Sequence, residues 1–120
     1  MANQVSFFEI ISKNSVQLGE FYGKTFGWNI IPPQGSMEYR LMDTKGGNGV
    51  MGAVGEPIIK EETWLTIYIS VDNIDQTLED VVNNGGKIKA PKFSTDTGFT
   101  LAYIEDLSGN IIGITENRKE

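Results

Sequence analysis

The sequence predicts an α+β fold made of two tandem βαβββ modules. Three observations favour it. Both halves of the chain carry the same order of strand-like and helix-like patterns, and the signals that begin and end the two helices recur at one constant spacing. Each half also has only one helix, which can cover one face of a sheet, so two such halves are expected to share a core.

The first half begins with bulky β-forming residues over Val5–Ile11, followed by a polar break. Asn14, with Gln17 three residues later, is typical of a helix N-cap whose side chain accepts a backbone N–H while the glutamine bonds back. The helix is predicted to end at Gly27, which adopts positive φ easily. Short strands are then expected over residues 28–31, 37–42 and 50–54, the last after the turn-prone segment Lys45-Gly46-Gly47-Asn48-Gly49.

The second half repeats this order. Trp64–Val71 is rich in β-formers, and Asn73 with Gln76 repeats the N-cap pattern. The following apolar helix is predicted to end at Gly85-Gly86. Three more strands are predicted over residues 87–89, 99–104 and 110–115, with Asp106-Leu107-Ser108-Gly109 as the turn before the last one.

The spacing between matching signals supports a repeat. Asn14 and Asn73 lie 59 residues apart, and so do Gln17 and Gln76, and Gly27 and Gly86. In the last strands the apparent spacing is 61, which aligns Gly52 with Gly113. The alternative is coincidence, because Asn and Gly mark helix ends in many proteins. We predict one domain over residues 1–120, with modules at about 1–55 and 63–120 and a linker at about 56–62.

Composition excludes several kinds of chemistry. The chain has 120 residues with no Cys and no His, so thiolate sites, disulfides and the usual general base are absent. The net charge of −6 argues against a nucleic-acid partner, and Arg118-Lys119 is too short to form a basic patch. No apolar run is long enough for a membrane helix. The first residues resemble no signal peptide, so we expect a complete, cytoplasmic protein without membrane partners.

Several short motifs occur in a fixed order: Phe8-Glu9-Ile10, Phe21-Tyr22, Phe26-Gly27-Trp28, Val71-Asp72-Asn73-Ile74-Asp75, Gly85-Gly86-Lys87 and Asp106-Leu107-Ser108-Gly109-Asn110. Together they resemble the vicinal oxygen chelate superfamily, which includes glyoxalase, bleomycin-resistance and extradiol dioxygenase proteins. The resemblance covers almost the whole chain. It implies paired βαβββ modules whose curled sheets form one cleft, and often a homodimer.

Metal-dependent members of that superfamily place four ligands in the cleft, two from each module. The resemblance assigns these positions to Phe7, Gly52, Thr66 and Gly113 in this chain. A phenyl ring, a hydroxyl group and two hydrogens do not supply the three or four donors that a transition metal needs. We therefore expect no metal and no cofactor, as in the metal-free members that bind a drug.

Strand alternation places Phe7 and Glu9 on one face of the first strand, so both face the cleft if Phe7 does. On the corresponding strand Trp64, Thr66 and Tyr68 share a face. Aromatic side chains with a few polar groups are typical of a ligand site. The predicted ligand-binding residues are Phe7, Glu9, Trp64, Thr66, Tyr68, Gly113 and Thr115. The face of Tyr103 is left open, because the register of its hairpin is not fixed by the sequence.

The functional hypothesis is a metal-free small-molecule-binding protein with Glu9 as a ligand contact. The alternative is a metal-independent lyase or isomerase that uses Glu9 as proton acceptor and Tyr68 as donor. A third interpretation is a module retained for dimer or partner contacts. Glu9 could also be an ordinary strand carboxylate paired with Arg40.

Overall fold

The computed structural model describes residues 3–47 and 49–117. Asn48 of the predicted turn lies outside these residues, and so does the terminal pair Arg118-Lys119. Within these residues the chain forms eight strands and two helices in the predicted order, so the α+β class and the βαβββ element order are confirmed. The elements are β1 Val5–Ile11, α1 Ser15–Phe26, β2 Asn29–Ile31, β3 Tyr39–Asp43, β4 Gly52–Gly55, β5 Trp64–Val71, α2 Ile74–Asn83, β6 Lys87–Ser94, β7 Thr100–Glu105 and β8 Ile111–Glu116.

The chain divides into two compact units. The N-terminal unit is Phe7–Leu65, and the C-terminal unit combines residues 3–6 with residues 66–117. The predicted modules and linker were defined by repeated sequence patterns, whereas these two units are defined by how compactly the residues pack. The predicted boundaries therefore stay a prediction. Neither helix in the described part of the chain is long and apolar enough to cross a membrane.

In the N-terminal unit the strands lie in the order β2, β3, β4, β1. β4 is antiparallel to β3 and parallel to β1, with Glu9 opposite Ala53. Helix α1 covers the sheet face that carries Val54, since a methyl group added at Gly19 would lie 3.3 Å from the Val54 side chain. Residues alternate in a strand, so Glu9 and Ala53 lie on the face away from α1.

In the C-terminal unit the strands lie in the order β5, β8, β7, β6. β5 and β8 are parallel, with Tyr68 opposite Gly113 and Ile69 opposite Ile114. The apolar core lies between α2 and one face of this sheet and consists of Val71, Ile74, Leu78, Ala102, Ile104 and Ile114. Tyr68 and Gly113 alternate with these core positions, so they lie on the face away from α2.

Strand β6 is longer than predicted. The sequence pattern supports a strand only over residues 87–89, because Pro91 cannot donate a ladder hydrogen bond. The structure continues β6 to Ser94 along the edge of the unit's sheet, and the register with β7 shifts between Ile88 and Ala90 and again between Ala90 and Phe93. These irregularities accommodate the proline within the strand.

The two helices begin in different ways. Asn73 caps α2 as predicted, since its Oδ1 accepts the backbone N–H of Gln76 at 3.0 Å. The Gln76 side chain does not bond back to Asn73 as expected, because its Nε2 donates to Asp80 Oδ1 at 3.0 Å. Asn14 does precede α1, but its side chain makes no capping hydrogen bond, so that part of the prediction is wrong. The Asn14 Oδ1 instead accepts the Ser12 hydroxyl at 2.6 Å.

A glutamate that follows or ends the last strand of each unit bonds to the helix N-terminus. Glu56 Oε2 accepts the Ser15 hydroxyl at 2.7 Å and the Ser15 N–H at 3.4 Å. Glu116 Oε2 accepts the Ile74 N–H at 2.9 Å. A carboxylate at this place satisfies free N–H groups and interacts favourably with the helix dipole. Sequence reasoning missed both contacts, because the paired residues lie about 40 positions apart.

The predicted alignment of Gly52 with Gly113 is wrong by one residue. Glu9 lies opposite Ala53 and Tyr68 lies opposite Gly113, with all four on the face away from the helix of their unit. Gly52 is one residue away from Ala53 and therefore lies on the α1 side. The spacing of 59 relates the first strands and the helix starts, Ser15 and Ile74. It does not relate the helix ends, because α2 stops at Asn83 with Asn84 as its C-cap, before the predicted Gly85-Gly86. The last strands are related by 60, the spacing that also relates Glu56 to Glu116.

The caps provide a matched test of these local structures. We expect Asn73→Ala to lower the free energy of unfolding by about 1 kcal/mol, since it removes a side-chain cap. Asn14→Ala should cost clearly less, because it removes only an exposed bond to Ser12. Urea denaturation of both variants measures the difference, and equal losses would contradict the assignment of the caps.

Candidate functional site

The N-terminal unit contains a buried carboxylate held by two aromatic side chains. Glu9 is 1% exposed. Its Oε2 accepts the Tyr39 hydroxyl at 2.6 Å, and its Oε1 accepts the Trp64 indole N–H at 2.8 Å. Tyr39 and Trp64 are themselves only partly buried. A buried carboxylate needs such donors, because its desolvation is costly unless hydrogen bonds replace water.

The sheet register places these groups together. Tyr39 lies opposite Gly55, two residues from Ala53, so it shares the face of Glu9. A methyl group at Gly55 would lie 2.5 Å from the Tyr39 Cδ1, so only glycine leaves room for the ring in this position. Trp64 is the first residue of β5.

Arg40 is not the partner of Glu9 that the sequence allowed. It lies opposite Val54, on the α1 side of the sheet, whereas Glu9 lies on the other side. The Arg40 Nε donates to Glu38 Oε2 at 2.7 Å. Hydrogen bonding to the Glu38 carboxylate raises the pKa of Arg40 above its ordinary value.

The C-terminal unit carries a pair of buried tyrosines. The hydroxyl groups of Tyr68 and Tyr103 are hydrogen-bonded to each other, and these residues are 3% and 2% exposed. Phe93 stacks on Tyr103 with ring centroids 6.4 Å apart. Tyr103 lies opposite Gly113 and therefore on the face away from α2, which settles the side that the sequence left open.

The remaining predicted residues differ in their surroundings. The Thr66 hydroxyl donates to the Ile111 carbonyl, and Thr115 is partly buried opposite Ser70. Phe7 is partly buried in the N-terminal unit. The Tyr68 ring covers Gly113, since a methyl group there would lie 2.7 Å from the ring. Gly113 therefore accommodates a side chain of its own unit, which gives this glycine a packing role.

Tyr39 is the residue that sequence reasoning missed. Tyr39 lies in the predicted third strand. The glycine-rich loop between this strand and β4 is compatible with more than one turn, so the sequence does not determine which β4 residue pairs with Tyr39. The available signal was the pair Tyr39 and Gly55, because a strand glycine often marks the close approach of another group.

No protein-family model matches the chain. A glyoxylase-like domain-containing protein from Didymella fabae is 32% identical to it over 89 residues, which cover 70% of this chain and 70% of that protein. The chain belongs to the vicinal oxygen chelate superfamily. A putative glyoxylase, CFP32, from Mycobacterium bovis is 30% identical over 103 residues, covering 79% of this chain, and the match spans only 38% of that protein.

Several solved structures share the fold of this chain. A hypothetical protein from Bacillus halodurans superposes with a TM-score of 0.73 at 14% identity, covering 100% of this chain and 98% of that one. A methylmalonyl-CoA epimerase from Streptomyces coelicolor, in complex with 2-nitronate-propionyl-CoA, gives 0.68 at 15% identity, covering 99% and 100%. These likenesses establish the fold class predicted from the sequence.

The four positions that the superfamily resemblance assigns to metal ligands carry few side-chain donor atoms in this chain. With the corrected alignment they are Phe7 and Ala53 in the N-terminal unit and Thr66 and Gly113 in the C-terminal unit. Only Thr66 has a donor atom, and its hydroxyl is bonded to the Ile111 carbonyl. Within residues 3–47 and 49–117, no group of three or more His, Cys, Asp and Glu could hold a metal ion.

The close approach of Tyr68 to Gly113 can be tested by stability. Gly113→Ala should lower the free energy of unfolding by about 1–3 kcal/mol, because the new methyl group overlaps the ring. Gly46→Ala is the control, since a methyl group there would meet only ordinary contacts from 3.5 Å. Thermal and urea unfolding measure both, and a neutral Gly113→Ala would refute the placement of the Tyr68 ring.

The side chains at these four assigned positions also predict the result of a metal analysis. Protein purified without chelator should contain far less than one equivalent of zinc, nickel, iron or manganese, because the four positions lack the ligands these ions require. Mass spectrometry of the purified protein measures the content. A stoichiometric metal that survives dialysis would contradict this prediction.

Proposed function

We propose that this protein binds a small organic molecule without a transition metal, on an aromatic wall formed by Trp64 and Tyr39. The observation that carries the proposal is the buried Glu9 carboxylate, which holds both side chains by hydrogen bonds of 2.8 Å and 2.6 Å. Partly buried aromatic residues with fixed polar tips are typical of binding surfaces.

Glu9 acts in this proposal as a positioning residue. At 1% exposure its carboxylate is covered, so a ligand meets the rings that Glu9 orients rather than the carboxylate itself. Holding two rings before the ligand arrives reduces the entropy that binding would otherwise cost. This positioning role replaces the direct ligand contact expected from the sequence. Phe7, two residues before Glu9 in β1, lies on the same face and extends the wall.

The alternative is a metal-independent lyase or isomerase with Glu9 as proton acceptor and Tyr68 as donor. The glyoxylase names of the relatives favour an enzyme. Against it, both Glu9 oxygens already accept protein donors, and the Tyr68 hydroxyl is bonded to Tyr103. Binding is therefore the better-supported function.

The cytoplasmic location, the homodimer and the absence of nucleic-acid partners stay predictions. They rest on composition and on the superfamily resemblance.

Two substitutions at Glu9 separate positioning from other roles. Glu9→Gln keeps both hydrogen bonds, because its carbonyl oxygen can face the Trp64 N–H while its NH2 group faces Tyr39, whose hydroxyl can turn to accept. Glu9→Leu removes both acceptors and frees both rings. We expect Glu9→Leu to weaken ligand binding about 5- to 100-fold, from the entropy of two released side chains. Glu9→Gln should change the affinity for uncharged ligands by less than about threefold.

The measurement is a panel of small molecules balanced in charge, followed by thermal shift and by Trp64 emission in a Trp28→Phe background. Glu79→Gln, an exposed change on α2 with the same loss of charge, is the control. Absence of any ligand in the panel, or full affinity in Glu9→Leu, would contradict the proposal. If the panel contains a substrate that is turned over, a fall of about 10²–10⁴-fold in Glu9→Gln would establish the enzyme instead.

A further inference from the structure

The polar edges of two aromatic rings meet at one buried negative group. Trp64 donates its indole N–H to one Glu9 oxygen, and Tyr39 donates its hydroxyl to the other. Both donors are neutral groups, so these two hydrogen bonds add no positive charge beside the carboxylate. All three residues belong to the N-terminal unit.

The hydrogen bonds to Glu9 strengthen the attraction of the Trp64 and Tyr39 ring faces for cations. Aromatic faces carry negative potential, which is greatest for Trp and also substantial for Tyr. A carboxylate that accepts a hydrogen bond from the polar edge of a ring lies close to the plane of that ring, and its negative charge increases the electron density over both ring faces. Because Glu9 is buried, salt in the solvent screens this charge only weakly.

We propose that the ligand of this site is an organic ammonium ion that binds on the faces of Trp64 and Tyr39, with Glu9 as a counter-charge at the polar edges of the two rings. This inference rests on the proposed function and names its ligand class. The ammonium ion touches the rings and does not touch Glu9, which agrees with the burial of that carboxylate. The net charge of −6 also raises the local concentration of cations around the protein.

Two probes of equal shape isolate the effect of charge. Choline carries a quaternary nitrogen, and 3,3-dimethylbutan-1-ol has carbon in its place. Wild-type protein should bind choline about tenfold more tightly than the neutral alcohol, because only choline gains the cation–π attraction and the field of Glu9. Trp64 emission in the Trp28→Phe background and isothermal titration measure both affinities.

The variants identify the source of the preference. Glu9→Gln should lose most of the tenfold preference for choline while its affinity for the alcohol stays within about threefold, since it keeps the ring positions but not the charge. Glu79→Gln should leave both affinities unchanged. Trp64→Phe, which keeps a ring but has no N–H, should also lose most of the preference, and it replaces Glu9→Gln if that variant does not fold.

The outcomes separate this inference from the proposed function. Equal affinity of wild type for the two probes overturns the inference, and so does an unchanged preference in Glu9→Gln or, where that variant does not fold, in Trp64→Phe. If the charge-balanced panel yields only neutral or anionic ligands, the ammonium class is wrong but the binding function stands. If the panel yields no ligand and neither probe binds, both are wrong.

Discussion

A buried carboxylate is the constraint on which the N-terminal unit depends. Glu9 lies in β1, Tyr39 in β3 and Trp64 at the start of β5, so one side chain joins three parts of the chain. Leaving a buried charge without donors is strongly destabilising. The positions of Tyr39 and Trp64 are therefore fixed by the need to solvate Glu9, and so is the glycine at position 55 that leaves room for Tyr39.

Glycines in the last strands of both units leave space for the aromatic rings of neighbouring residues. Gly55 makes room for Tyr39, and Gly113 makes room for Tyr68. Gly52 does the same for Phe8 on the α1 side, where a methyl group would lie 2.3 Å from the ring. Gly113 was predicted as a ligand-binding residue, because in a sequence a missing side chain looks the same whether a ligand or a neighbouring ring fills the space.

The sequence predicted local features better than long-range ones. The element order, the Gly27 helix end and the Asn73 cap follow from neighbouring residues, and the structure confirms them. The predicted alignment of Gly52 with Gly113 is wrong because Gly52 and Ala53 are adjacent small residues. The sequence does not show which of the two lies on the face away from the helix. The Tyr39 contact and the Glu56 cap depend on strand pairing between distant residues, which a single sequence does not fix.

The corrected alignment shows how the two units have diverged. Glu9 and Tyr68 occupy equivalent places, opposite Ala53 and Gly113 and away from the helix. In the C-terminal unit this place holds a hydroxyl that bonds to another hydroxyl, a neutral pair on a covered ring. In the N-terminal unit it holds a carboxylate that bonds to the edges of two partly exposed rings. Because the fold around the two positions is the same, the difference lies in the side chains. The chemical difference between the two places therefore comes from Glu9 and its two donors rather than from the shared βαβββ framework.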